Sequence, residues 1–116
     1  MAFDIIVTNI KDPIPAGYFA VELMRPSIFG NPFFLSDESQ RDQCIERYRN
    51  YLWDEMQKPD SPVFQSLRRL ASCANDMILT CCCKPKACHG DVVREAILWL
   101  RKNPEHLFQG KKGINK

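Results

Sequence analysis

The stretch Met77-Ile78-Leu79-Thr80-Cys81 is almost continuously apolar and too short for a helix. Together with its flanks it reads as a strand over residues 76–83. An apolar strand with no polar alternation suits the centre of a sheet, buried on both faces. The next segment narrows the choice further. Residues 81–91 run Cys-Cys-Cys-Lys-Pro-Lys-Ala-Cys-His-Gly-Asp, and an amphipathic helix opens near Asp91, with Val92, Val93, Ala96, Ile97 and Leu100 on one face. A buried strand passing through a short loop into a helix is the unit of an α/β sheet, and its strand-to-helix crossing is where such sheets place ligand chemistry.

The rest of the chain supplies the partners of that unit. Residues 3–8 and 18–23 read as two further strands, the second with Phe19, Val21 and Leu23 in alternation. Residues 25–33 hold two prolines, a glycine and an asparagine, which rule out regular structure, yet Ile28, Phe29, Phe33 and Phe34 require the loop to pack against something. Asp37 with Gln40 forms a capping-box pattern at the start of a helix. The buried face of that helix is Cys44, Ile45, Tyr48, Tyr51, Leu52 and Met56. Ser61-Pro62 starts a shorter helix with proline at its first position, and Asn103-Pro104 ends the last one. With 116 residues, 45% hydrophobic and 26% charged, this is one α/β domain over residues 1–110: a small layered sheet with flanking helices, Rossmann-like in character. Residues 111–116 read as a mobile basic tail.

No apolar run approaches the roughly 20 residues that span a bilayer, which argues against a membrane protein. The first residues carry neither a basic n-region nor a cleavage site, so the expected location is the cytoplasm. Thiols stay reduced there, and six cysteines are structural, metal-binding or reactive before they are bridged. The net charge of +2 is too small to imply nucleic-acid binding, and the basic residues do not interleave with aromatics. Charge is unevenly spread: residues 84–116 hold 8 Lys/Arg against 3 Asp/Glu, and residues 1–83 hold 8 against 11.

Three chemistries fit the cysteine loop, beside a fourth reading in which the cysteines only pack. Cys81, Cys83, Cys88 and His89 offer three thiolates and an imidazole, a set that tetrahedral zinc accepts, although their spacing is not a standard zinc pattern. Cys88, near a helix N-terminus with His89, Lys84 and Lys86 close in sequence, is a candidate nucleophile or redox thiol, and His89 a candidate base. His89-Gly90-Asp91 offers a small residue at a helix start, where backbone N–H groups bind anions. Asp91 there either caps the helix or orients a ribose or base. Arg25, directly after a strand, is positioned to meet an anion or to form a surface ion pair.

Two stretches together resemble an uncharacterised family of bacteria and phages, known as domain of unknown function 4326. Its pattern joins a Gly-Arg-Pro-Ser-x-aromatic-Gly-Asn-Pro-Phe loop to a later Cys-aromatic-Cys-x-Pro-x-x-Cys-His-Gly-Asp loop. Residues 24–33 and 81–91 match these, with Met24 in place of the glycine and Cys82 in place of the aromatic residue. The likeness spans roughly residues 18–100 and includes the helix carrying Tyr48 and Leu52. It implies a compact α/β domain with no established activity. It also implies that Arg25, Asn31, Cys83, Cys88, His89 and Asp91 share one site. The expected ligand is a nucleotide or nucleoside-like anion, with Arg25, Ser27, Asn31, Gly90 and Asp91 binding it. Cys88 and His89 are the first catalytic candidates, without a reaction to assign them. The alternative expectation is a non-enzymatic interaction module, such as a phage accessory factor acting on a host protein in the host cytoplasm. In that reading the cysteine loop is structural or zinc-binding.

Overall fold

The structure is a computed structural model that describes residues 3–24, 27–30, 38–81 and 88–107. Its elements are β1 (Ile5–Asn9), β2 (Phe19–Glu22), a 3-10 turn (Glu38–Gln40), α1 (Arg41–Met56), α2 (Pro62–Ala71), β3 (Met77–Cys81), α3 (His89–Lys102) and a single turn α4 (Pro104–Leu107). The three strands form one sheet in the order β1-β3-β2, and both neighbours run parallel to β3. The apolar third strand is therefore central, and all five of its residues are buried.

Alternation along β3 divides its side chains between two faces. Met77 and Leu79 join Ile5, Leu23, Tyr48, Leu52, Phe64, Leu67, Val93, Ile97 and Leu100 in one core, which unites the sheet with α1, α2 and α3. Ile78 and Thr80 point the other way and are also buried. The two connections cross the sheet in opposite senses. The β2–β3 connection contains α1 and α2. The β1–β2 connection moves across the sheet in the opposite sense, so right-handed crossovers carry it over the opposite face. Its ends are tied at the two ends of β3. The Ile10 N–H donates to the Cys81 carbonyl (2.7 Å), and the Asn75 side-chain amide donates to the Gly17 carbonyl (3.3 Å). Gly17 sits at φ +87, which a side chain would strain. Strand β2 packs unevenly. Leu23, just past its end, is fully buried, whereas Phe19 at its start is 49% exposed, because an edge strand is covered on one side only.

The capping-box reading of Asp37 and Gln40 falls partly outside the described residues. A 3-10 turn comes first, and Gln40 occupies the N-cap position with no side-chain cap bond; Asp37 lies outside the described residues. The start of α2 is as its sequence implies. The Ser61 hydroxyl accepts from the Phe64 N–H (3.3 Å), and Pro62 takes the first turn. That hydroxyl also donates to Glu55 of α1 (2.9 Å), so one side chain fixes the α1–α2 junction. At the same junction His106 donates from Nε2 to the Met56 carbonyl, the last of α1 (2.8 Å). Its ring packs edge-on against Phe64 and Trp99.

Ser61→Ala is expected to cost about 1 kcal/mol, the usual worth of such a cap, measured by urea denaturation at neutral pH. Lys58 and Ser61 hold the Glu55 carboxyl below its usual range. A lowered folded-state pKa contributes stability that is present above the unfolded value and lost as pH falls through the folded one. The gap between wild type and variant should therefore narrow on acidification below about pH 4.

Candidate functional site

The two signature stretches meet at the carboxyl edge of the sheet, where β2 and β3 end. Leu23 closes the β2 side, and its carbonyl accepts a hydrogen bond from His89 Nε2 at 2.9 Å. A carbonyl only accepts, so this nitrogen carries the proton. The His89 ring lies edge-on to Tyr48, with centroids 4.9 Å apart. The buried Tyr48 hydroxyl donates to the Phe29 carbonyl at 2.8 Å. Burial pushes the phenol's pKa up, which keeps the donor protonated. Two rings from two helices thus hold both ends of the described part of the first signature loop. Within that loop, Ser27 makes a turn: its Oγ accepts from the Phe29 N–H (3.2 Å), and its carbonyl accepts from the Gly30 N–H (2.8 Å). Phe29 is buried, as an apolar loop residue demands, while Ile28 is exposed. Arg25, Asn31, Phe33, Phe34, Cys82, Cys83, Lys84 and Lys86 lie outside the described residues, as does the basic tail.

On the α3 side, Cys88 is the N-cap residue with extended backbone (φ −148, ψ 169). Cys88 and Asp91 form a reciprocal capping box. The thiol accepts from the Asp91 N–H, and the Asp91 carboxylate accepts from the Cys88 N–H (3.4 Å). This realises the capping role of Asp91. It also places a carboxylate and a sulfur on the N–H groups that an anion would use. Gly90 is buried for packing reasons. A Cβ there would meet Val7 Cγ1 at 2.9 Å, Leu23 Cδ1 at 3.1 Å and Cys88 Sγ at 3.2 Å. The missing side chain lets α3 approach Val7 of β1 and Leu23 beyond β2.

Cys88 Sγ lies 3.1 Å from Cys81 Sγ, and both residues are about 1% exposed. The neighbouring Cys81 thiol, and then burial, push the Cys88 thiol well above its ordinary pKa. The adjacent thiol and desolvation thus act on this sulfur against the pull of the helix N-terminus. Of the proposed zinc set, the described residues bring together Cys81 and Cys88. His89 follows directly in sequence but spends Nε2 on Leu23, and no group of three or more His, Cys, Asp or Glu side chains among the described residues could hold a metal ion.

Sequence reasoning missed the polar ties that fix this edge. It placed Tyr48 on a buried face without asking where its hydroxyl goes, although buried tyrosines usually find a partner. Arg94 donates to the Ile5 carbonyl (2.7 Å) and Arg101 to the Phe3 carbonyl (2.9 Å), so α3 binds the backbone of β1 and its approach. Their spacing of seven puts them on one helical stripe, which was the available signal. A separate groove lies between α1 and α3, about 530 Å³ in volume. Leu52, Met56, Val92 and Ala96 line it, and Trp53 and Trp99 meet there edge to face at 4.9 Å. The Arg49–Glu95 ion pair and Lys102 also border it.

Among the described residues, fold and site define a small α/β protein whose three-stranded parallel sheet carries a thiol pair and a hydrogen-bonded turn at its carboxyl edge. The chain belongs to the family described as Domain of unknown function (DUF4326), whose profile matches residues 10–99. No curated protein and no solved structure matches it. No helix among the described residues is long and apolar enough to cross a membrane.

Gly90→Ala is expected to cost about 1–3 kcal/mol through overpacking against a valine that is stiff at χ1, and Val7→Ala in the same chain should recover part of it; denaturant midpoints of the single and double variants check this. Tyr48→Phe should cost about 1–2 kcal/mol by orphaning the Phe29 carbonyl, with faster amide exchange at Phe29 and Gly30.

Proposed function

We propose that this protein binds a small anionic ligand, a nucleotide or nucleoside-like molecule, at the carboxyl edge of its sheet. The observation that carries this reading is the His89–Leu23 hydrogen bond, which brings two signature stretches far apart in sequence to the ends of adjacent parallel strands. Ligands of open parallel sheets bind outside those ends, as they do in Rossmann-like proteins. In this reading Arg25, two residues beyond Leu23 in sequence, supplies the positive charge, and Asn31 orients a polar group. The N-terminus of α3 has a lesser role, because Asp91 and Cys88 already cap it. The cytoplasm is the expected setting.

The test is native mass spectrometry of freshly purified protein, followed by equilibrium dialysis with ADP, AMP and inorganic phosphate. A retained nucleotide-sized adduct or saturable binding is expected. Arg25→Ala should weaken binding by roughly 10- to 100-fold, the worth of a charge-assisted hydrogen bond, with an unchanged circular dichroism spectrum. Absence of an adduct and of binding to all three probes overturns the reading, as does undiminished binding by Arg25→Ala.

A second reading is a non-enzymatic interaction module, including a phage accessory factor that acts on a host protein. The groove between α1 and α3 favours it, because Trp53 is 46% exposed beside an apolar floor. Exposed tryptophans next to buried apolar surface are typical anchors of protein contacts. Zinc in the cysteine loop is compatible with either reading, with Cys81, Cys83, Cys88 and His89 as its proposed ligands. The same mass spectrum would reveal one metal ion per chain.

A further inference from the structure

Neither the ligand reading nor the interaction reading uses the contact between Cys81 and Cys88. Cys81 is the last residue of β3 and Cys88 the cap of α3, seven positions apart, with their sulfurs 3.1 Å from one another in a buried setting. A disulfide needs a separation of about 2.05 Å. The sulfurs therefore have to close by roughly 1 Å, a movement on the scale of a small χ1 rotation within each side chain. Cys44 and Cys73, by contrast, are half-buried on the helical side.

We propose that Cys81 and Cys88 are a redox pair, closing to an intramolecular disulfide when the protein meets a peroxide oxidant and reopening under a dithiol reductant. One thiol gives up its proton as its sulfur attacks a peroxide oxygen. The O–O bond breaks, a sulfenic acid forms, and the departing hydroxide takes up a proton to leave as water. The second sulfur attacks the sulfenic sulfur, the S–S bond forms, and the sulfenic oxygen leaves as a second water. Two thiols and one hydrogen peroxide become one disulfide and two waters, so the sulfur pair loses two electrons and the peroxide gains them. The new bond would join the end of the central strand directly to the first turn of the helix packed against it. This site stands whether or not a nucleotide binds.

The test is hydrogen peroxide treatment of the full chain, alkylation in denaturant, and peptide mapping without reduction. Trypsin cuts after Lys86, which separates the two cysteines, so their link is seen as a cross-linked peptide pair. The expected result is a mass loss of two hydrogens, fragment ions assigning the bond to Cys81 and Cys88, and full reversal by dithiothreitol. Cys44→Ser and Cys73→Ser should leave the link intact, and Cys81→Ser should abolish it. Should Cys81→Ser fail to fold, the wild-type fragment ions carry the assignment alone. Alkylation of both Cys81 and Cys88 after oxidant, a bond from Cys88 to Cys82 or Cys83, or irreversible sulfinic acid at either position overturns the proposal.

Discussion

Everything in this fold is arranged around covering a strand that has no polar face. Met77, Leu79 and Cys81 point one way and Ile78 and Thr80 the other, and all are buried. A single layer of helices cannot shelter both sets. The long β2–β3 connection brings α1 and α2 to one face, and the short β1–β2 connection crosses the sheet in the opposite sense. Right-handed crossovers leave little choice in this division once β3 is central and all strands are parallel. Without β3 the two edge strands have nothing to pair with, since neither is hydrogen-bonded to the other.

The carboxyl edge inherits its rigidity from that arrangement. Gly90 lets the first turn of α3 sink between Val7 and Leu23, and this depth brings His89 within reach of the Leu23 carbonyl. Tyr48, on a different helix, holds the Phe29 carbonyl and packs against the same imidazole. Residues that read as chemical in the sequence thus act here as fasteners. His89 donates to backbone, Asp91 closes a cap, Gly90 makes room, and Ser27 makes a turn. A fastened edge is what a binding site needs, because groups held by packing and second contacts lose little entropy when a ligand arrives.

Much of this was legible in the residues. The apolar run at 77–81 announced a central strand, the stripe from Val92 to Leu100 announced the helix behind it, and Ser61-Pro62 marked the start of α2. The pairing of the two loops came from their resemblance to a family and was visible to no periodicity argument. The hidden part depended on distance in three dimensions. Nothing in the spacing of Cys81 and Cys88 says that their sulfurs lie 3.1 Å apart. The capping box expected from Asp37 and Gln40 falls partly outside the described residues, which show a 3-10 turn over Glu38–Gln40 before the α-helix sets in.

The strand order has a consequence for how the chain comes into being. The central strand is the last of the three to be synthesised, so β1 and β2 leave the ribosome with no partner for their backbone N–H and C=O groups. Every ladder bond in the sheet joins residues far apart in sequence, a topology that folds late and slowly. The helices α1 and α2 can form and pair earlier, but the apolar face they share stays open until residues 77–81 arrive. Until those residues arrive, the two edge strands have no partner and the sheet cannot form.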